Sequence, residues 1–137
     1  ALDRVSFVDG SGLSYANRVA PRSLVEALLL AERSFRFGPE FVAALPIAAA
    51  DGTLVERAEG AAHGVRAKTG LLTRVTGLSG YARLPEGRVA VFSILANGYR
   101  GGAEAALDGV DGFVAELVAA KTPRLAQELR SLPLVTE

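Results

Sequence analysis

Lys68, Thr69 and Gly70 stand in a row inside "GVRAKTGLLTRVTGLSGYARL", residues 64–84, which reads as strand, turn, strand. On a strand, adjacent side chains point to opposite faces. The lysine charge and the threonine hydroxyl therefore leave the backbone on opposite sides. A structural strand can use that pair, since an edge lysine also resists aggregation. It has no need for the glycine, which removes a side chain and lets another backbone come close. Upstream, "DGSGLSYANR" holds two more hydrogen-bonding residues, Ser14 and Asn17. Both types also favour turns and helix entries.

The remaining polar residues narrow the chemistry. His63 is the one histidine, so a Ser-His-Asp triad would have to use it. It lies in a Gly/Ala stretch with no acid partner in view and reads as solvated. Cysteine is absent, which excludes disulfides, thiolate zinc sites and a cysteine nucleophile. Asp51-Gly52-Thr53 reads as a turn, Arg66 and Arg74 as surface residues flanking the strand, and Glu56 and Glu59 as a solvated face. No metal or cofactor is implied.

These residues need elements to hold them. A short extended piece at residues 4–8 precedes a Gly/Ser turn at 9–12. Leu24, Leu28, Ala31 and Phe35 recur at helical spacing after Pro21, which predicts a helix over 21–35. "GPEFVAALP" predicts a short second helix. Residues 47–63 are Ala/Gly-rich and read as loop, with one helical turn after Asp51. Strands are predicted over 65–72, 75–84 and 89–97, with a hairpin turn in "PEGR". The last strand is apolar nearly throughout and should be covered on both faces. Val110, Phe113, Val114, Leu117 and Val118 predict a helix, and Thr122-Pro123 opens another with Leu125 and Leu129 inward. The expected fold is α+β: a three-stranded antiparallel meander packed by helices.

Length and composition suit one domain. The 137 residues are 50% hydrophobic and formally neutral, so no basic field points to nucleic acid or an anionic membrane. No apolar run is long enough for a membrane span, and no signal peptide is seen at the start. Methionine is absent, so the chain is expected to be a processed product or a piece of something longer.

The blocks "VDGSGLSYANRVAPRSLVEALL", "LPIAAADGTLVER", "VRAKTGLLTRVTGLSGYA" and "VAVFSILANG" occur in order between residues 8 and 98, within a likeness that runs from about residue 6 to about residue 118. Together they resemble the D-Ala-D-Ala carboxypeptidase/endopeptidase family, the low-molecular-mass class C penicillin-binding proteins. The family signature is Ser-x-x-Lys, a Ser-x-Asn-type element, then Lys-Thr-Gly. Lys68-Thr69-Gly70 matches the last. Ser14 and Asn17 resemble the middle element, with two intervening residues instead of one. Ser-x-x-Lys, which carries the nucleophile and its base, does not occur in the chain.

The resemblance implies a C-terminal portion of a β-lactamase/transpeptidase-like domain. It implies a peptidoglycan stem peptide or β-lactam as ligand and no cofactor, with the parent protein acting in the periplasm or otherwise outside the cytoplasmic membrane. Lys68 would supply positive potential near the terminal carboxylate and Thr69 a hydroxyl to it. Gly70 would admit the peptide, laid beside the strand, and the N–H of Leu71 would be an oxyanion donor. Ser14 would relay a proton and Asn17 would hold the substrate amide or the family's lysine. The chain by itself is expected to be inactive. Two other readings stand beside this one: a non-catalytic module that binds peptidoglycan peptides or a partner, and a β-lactamase. The apolar strand at 89–97 is expected to recruit another strand, either the missing N-terminal portion or a second copy.

Overall fold

The computed structural model describes residues 5–120. Two short strands, β1 (Val5–Ser6) and β2 (Arg18–Val19), pair antiparallel around the 7–17 loop. Helices α1 (Pro21–Glu32) and α2 (Gly38–Ala43) follow. Residues 47–63 hold two 3-10 turns, Gly52–Leu54 and Glu59–Ala61. The meander is β3 (Val65–Leu72), β4 (Val75–Arg83) and β5 (Val89–Asn97), and α3 (Glu104–Ala119) closes the described chain. The helix expected after Thr122 lies outside the described residues.

The sheet is antiparallel with order β3-β4-β5, and helices cover both faces, so the α+β expectation holds. Strand alternation sorts the side chains. Val65, Ala67, Leu78, Ala82 and Phe92 turn to the α3 side and meet Val110 and Val114 there. Tyr81 and Val91 turn to the other side and meet Leu28 of α1, with Leu45, Phe41 and Val42. The buried Tyr81 hydroxyl donates to the Leu28 carbonyl at 2.7 Å. Burial raises its pKa above the ordinary tyrosine value, and Glu32 adds to the rise.

Several sequence expectations are refined. α1 stops at Glu32, not residue 35, because the chain folds back at once onto the helix end. A Cβ at Gly38 would sit 2.5 Å from the Glu32 carbonyl oxygen, so glycine permits the return. Phe35 therefore falls off the helical stripe and is 100% exposed. Phe113 also turns out of its stripe to solvent. β5 packs on α1 while α3 lies over β4, so Phe92 is the one buried residue of β5 and the central β4 holds more of the core.

The segment 47–63 is irregular with a helical turn after Asp51, as expected, but it also forms one wall of the core: Ala48, Leu54, Ala58 and Ala61 are buried there. Its small side chains let an irregular backbone lie close to α3 and β3. Arg57 anchors it with a two-pronged grip on Asp111 of α3, Nε to Oδ2 at 3.1 Å and Nη2 to Oδ1 at 2.6 Å. The same carboxylate takes the N–H of Ala58 at 3.1 Å, where the backbone is left-handed at φ +54°. Bonds to a charged group in a largely buried setting are worth more than surface ion pairs. Asp111→Ala should therefore lower unfolding free energy by about 2–3 kcal/mol in urea denaturation. Arg22→Ala, which removes an exposed helical ion pair with Glu26, should change it by less than about 0.5 kcal/mol.

Candidate active site

The register of β3 decides which backbone groups are free. Gly64 accepts a hydrogen bond from Arg83 across the sheet at 2.8 Å, and the Val65↔Ala82 register continues that pairing. In an antiparallel ladder, backbone groups alternate between the partner strand and the opposite side. Residues 66, 68, 70 and 72 thus bond to β4, while Val65, Ala67, Thr69 and Leu71 present N–H and C=O to the outer edge.

Half of that edge is already covered. Residues 46–48 run along it: Ala48 donates to the Val65 carbonyl and Ala67 to the Pro46 carbonyl, each at 3.0 Å. The cover ends there. Among the described residues no strand pairs with β3 beside Thr69 and Leu71. Lys68 is exposed, and its ammonium donates to the Thr69 carbonyl at 2.7 Å, which places the cation at the open half of the edge. The Thr69 hydroxyl donates to the Thr53 hydroxyl at 2.8 Å. Leu71 keeps its N–H directed outward.

Gly70 is not required by the chain's own packing. A Cβ there would meet nothing within 4 Å, and its φ is ordinary. Gly80 is the contrast: a Cβ would come within 2.1 Å of the Arg66 carbonyl oxygen. One glycine serves the close approach of β3 to β4, and the other leaves space at the surface. Lys68, Thr69 and Gly70 line one wall of a groove of about 390 Å³, with Leu24, Leu28 and Leu45 across from them.

Ser14 and Asn17 do not line this groove. They line a second cavity of about 500 Å³ with Leu72, Val75 and Asn97, beyond the β3–β4 turn. The 7–17 loop reaches the β3–β4 turn through the Tyr15 hydroxyl, which donates to the Thr73 carbonyl at 3.4 Å. The Asn17 amide is engaged inside its own loop: Oδ1 accepts from Val8 at 2.9 Å, and Nδ2 donates to Asp9 at 3.0 Å. Asp9 also gathers the N–H groups of Gly12 (3.0 Å) and Ser14 (2.9 Å). The Asn17 bond, helped by those of Gly12, Ser14 and Ser11, holds the Asp9 carboxyl below the usual carboxylate range.

Arg66 and Arg74 have structural partners. Arg66 donates to the Ala43 and Leu45 carbonyls at the end of α2. Arg74 clamps the carbonyls of Gly98 and Tyr99, both at 2.9 Å. His63 lies in a left-handed turn before β3, away from the open edge. Two residues read only as parts of turns gain a place. Asp9 had a signal, since an aspartate before Gly-x-Gly suits an Asx turn. Thr53 had no signal for its partner.

With the geometry in view, the comparisons are specific. The sequence profile of the D-Ala-D-Ala carboxypeptidase 3 (S13) family matches residues 1–119. The chain belongs to this family. A D-alanyl-D-alanine carboxypeptidase of Actinomadura sp. (strain R39) is 40% identical over 130 residues, which span 89% of this chain and 24% of that protein. A carboxypeptidase of Mycobacterium tuberculosis is 38% identical over 104 residues, 67% of this chain and 22% of that protein. The crystal structure of penicillin binding protein 4 from Haemophilus influenzae matches with a TM-score of 0.73 at 27% identity, over 85% of this chain and 28% of that one. A second structure of that protein, complexed with a β-lactam, matches with a TM-score of 0.62 at 31% identity, over 81% and 27%. The chain thus spans about a quarter of the length of the relatives it matches. Among the described residues no helix is long and apolar enough to cross a membrane.

Two predictions arise from this geometry. Gly80→Ala should destabilise the fold by about 2 kcal/mol or more, because two backbones must move apart. Gly70→Ala should leave stability within about 0.5 kcal/mol, since the site is open, and should weaken ligand binding at the edge. Denaturation and binding titrations on both variants check the pair. Asp9 supplies a pH test. Its pKa is lowered on folding, so its contribution is complete above the unfolded carboxylate pKa and fades as pH falls through the lower folded value. The Asn17 side-chain amide resonances should shift in that acid window and stay flat above it, and Asp9→Asn should abolish the shift.

Proposed function

We propose that the chain is the C-terminal part of a serine D-Ala-D-Ala carboxypeptidase domain that acts on peptidoglycan stem peptides outside the cytoplasmic membrane and binds penicillin. The observation that carries this reading is the half-open edge of β3, with Lys68, Thr69 and the Leu71 N–H at the open half, in a chain of this family. An extended peptide ending in D-Ala-D-Ala lies along that edge as an added strand. Gly70 leaves room for it. Lys68 and Thr69 meet the terminal carboxylate, and Leu71 donates to the developing oxyanion.

The reaction is acyl transfer. A serine hydroxyl from the rest of the domain attacks the carbonyl of the penultimate D-Ala. The peptide bond breaks, D-Ala leaves with the serine proton, and water then hydrolyses the ester. Ser14 accepts from Ala16 at 3.1 Å and lines a different cavity from Lys68, so this geometry does not support the proton relay expected of it. Asn17 acts through the loop, as the residue that fixes Asp9 and the backbone of Val8. The outer edge of β5, apolar from Val89 to Ala96 apart from Ser93, takes a strand from the rest of the domain or from a second copy.

Kinetics on the full-length protein test the reading. Thr69→Val and Lys68→Ala should each lower kcat/KM by about one to two decades, the cost of losing a bond to a charged group. His63→Ala should change nothing. A silent Thr69→Val with a damaging His63→Ala would overturn the assignment. A non-catalytic peptide-binding module would instead show binding without turnover in the unmodified protein.

A further inference from the structure

Thr53 and Thr69 lie sixteen residues apart, and their hydroxyls meet at 2.8 Å at the point where the cover over the β3 edge ends. The meeting is built. Leu54, next to Thr53, is fully buried, and the Asp51 carboxylate takes the Ile47 N–H at 2.6 Å. Gly52, at φ +53°, packs its backbone against Pro46. These contacts hold the 3-10 turn beside β3 and leave the Thr53 hydroxyl facing solvent. An exposed hydroxyl pair is not needed to satisfy a buried group. Its position at the end of the open edge is what calls for explanation.

A hydroxyl carries one proton and two lone pairs. At rest Thr69 gives its proton to Thr53, so Thr69 has none left for an anion. To donate to a carboxylate, Thr69 must turn its O–H outward, and its oxygen then accepts from Thr53. The reversal needs rotation of both hydroxyl hydrogens and a small turn of the exposed Thr53 side chain, since the pair as it stands has Thr69 as the donor. In the reversed chain the two bonds polarise each other in one direction.

We infer that Thr53 is a positioning residue for carboxylate recognition: it holds the Thr69 side chain and supplies the proton that its oxygen accepts while Thr69 donates to the terminal carboxylate of the peptide. The inference rests on the reading of Thr69 given above and adds a residue to it. Thr53 touches the ligand only through Thr69. No bond is made or broken in this step.

The test uses the full-length protein and two ligands, an acylated D-Ala-D-Ala peptide and the same peptide ending in a carboxamide. Thr53→Val keeps shape and removes the hydroxyl. It should raise KM for the carboxylate peptide about five- to tenfold, the scale of one net hydrogen bond, with kcat little changed. The inhibition constant of the carboxamide should stay as it was, and Thr53→Ser should restore the carboxylate peptide. Thr53→Val on top of Thr69→Val should add nothing, because the two act as one unit. Equal losses for both ligands, an unchanged KM, or additive effects in the double variant would overturn the inference. If Thr69→Val is selective for the carboxylate and Thr53→Val is silent, Thr53 alone loses its role. If Thr69→Val is also silent, the reading of the whole edge falls with it.

Discussion

The grip of Arg57 on Asp111 is the interaction from which the site is built outward. The segment it holds contains no strand and no full α-helical turn, and it is rich in alanine and glycine. Such a chain has little propensity to hold one shape. The bidentate pair pins it to α3, and the shared bond to the Ala58 N–H supports a left-handed residue that has no glycine to ease it. Once pinned, the segment carries four buried residues into the core. Two parts of it then have fixed addresses. Residues 46–48 lie on the first half of the β3 edge, and Thr53 stands at the start of the second half.

An edge strand is ordinarily a hazard, because unpaired N–H and C=O groups recruit other chains. Here the hazard is partitioned. The part beside Val65 and Ala67 is paired within the chain, and the part beside Thr69 and Leu71 is left open with a lysine at hand. The charge discourages promiscuous pairing. In the function proposed above, the same charge would favour an extended ligand with a negative end.

The two glycine positions show how similar letters come to mean different things. Gly70 and Gly80 both sit on strands, and strand glycines in general mark a close approach. At Gly80 the approach is internal, between β4 and the backbone of Arg66 and Ala67. At Gly70 nothing inside the described chain comes near. The space there faces the groove, which is where an added strand would lie.

Local chemistry was legible from residue types alone. The period-2 pattern and its turn residues set the meander, with β3 and β5 at the expected bounds, since strand faces and hairpin turns depend on near neighbours in sequence. Lys68-Thr69-Gly70 could be picked out for the same reason. So could the family, from blocks that remain in order. The tertiary structure decided the rest. Helix α1 ended early because Gly38 returned against it, a contact that no helical periodicity encodes. The alanine-rich segment became core because Asp111, more than fifty residues away, held its arginine. Ser14 and Asn17 lie in a different cavity from Lys68 because Asp9 gathers their loop onto itself. Thr53 reached Thr69 because a buried leucine and the bond from Ile47 to Asp51 hold its turn there. Each of these outcomes depends on a partner distant in sequence, and residue type and spacing hold no record of which distant groups will meet.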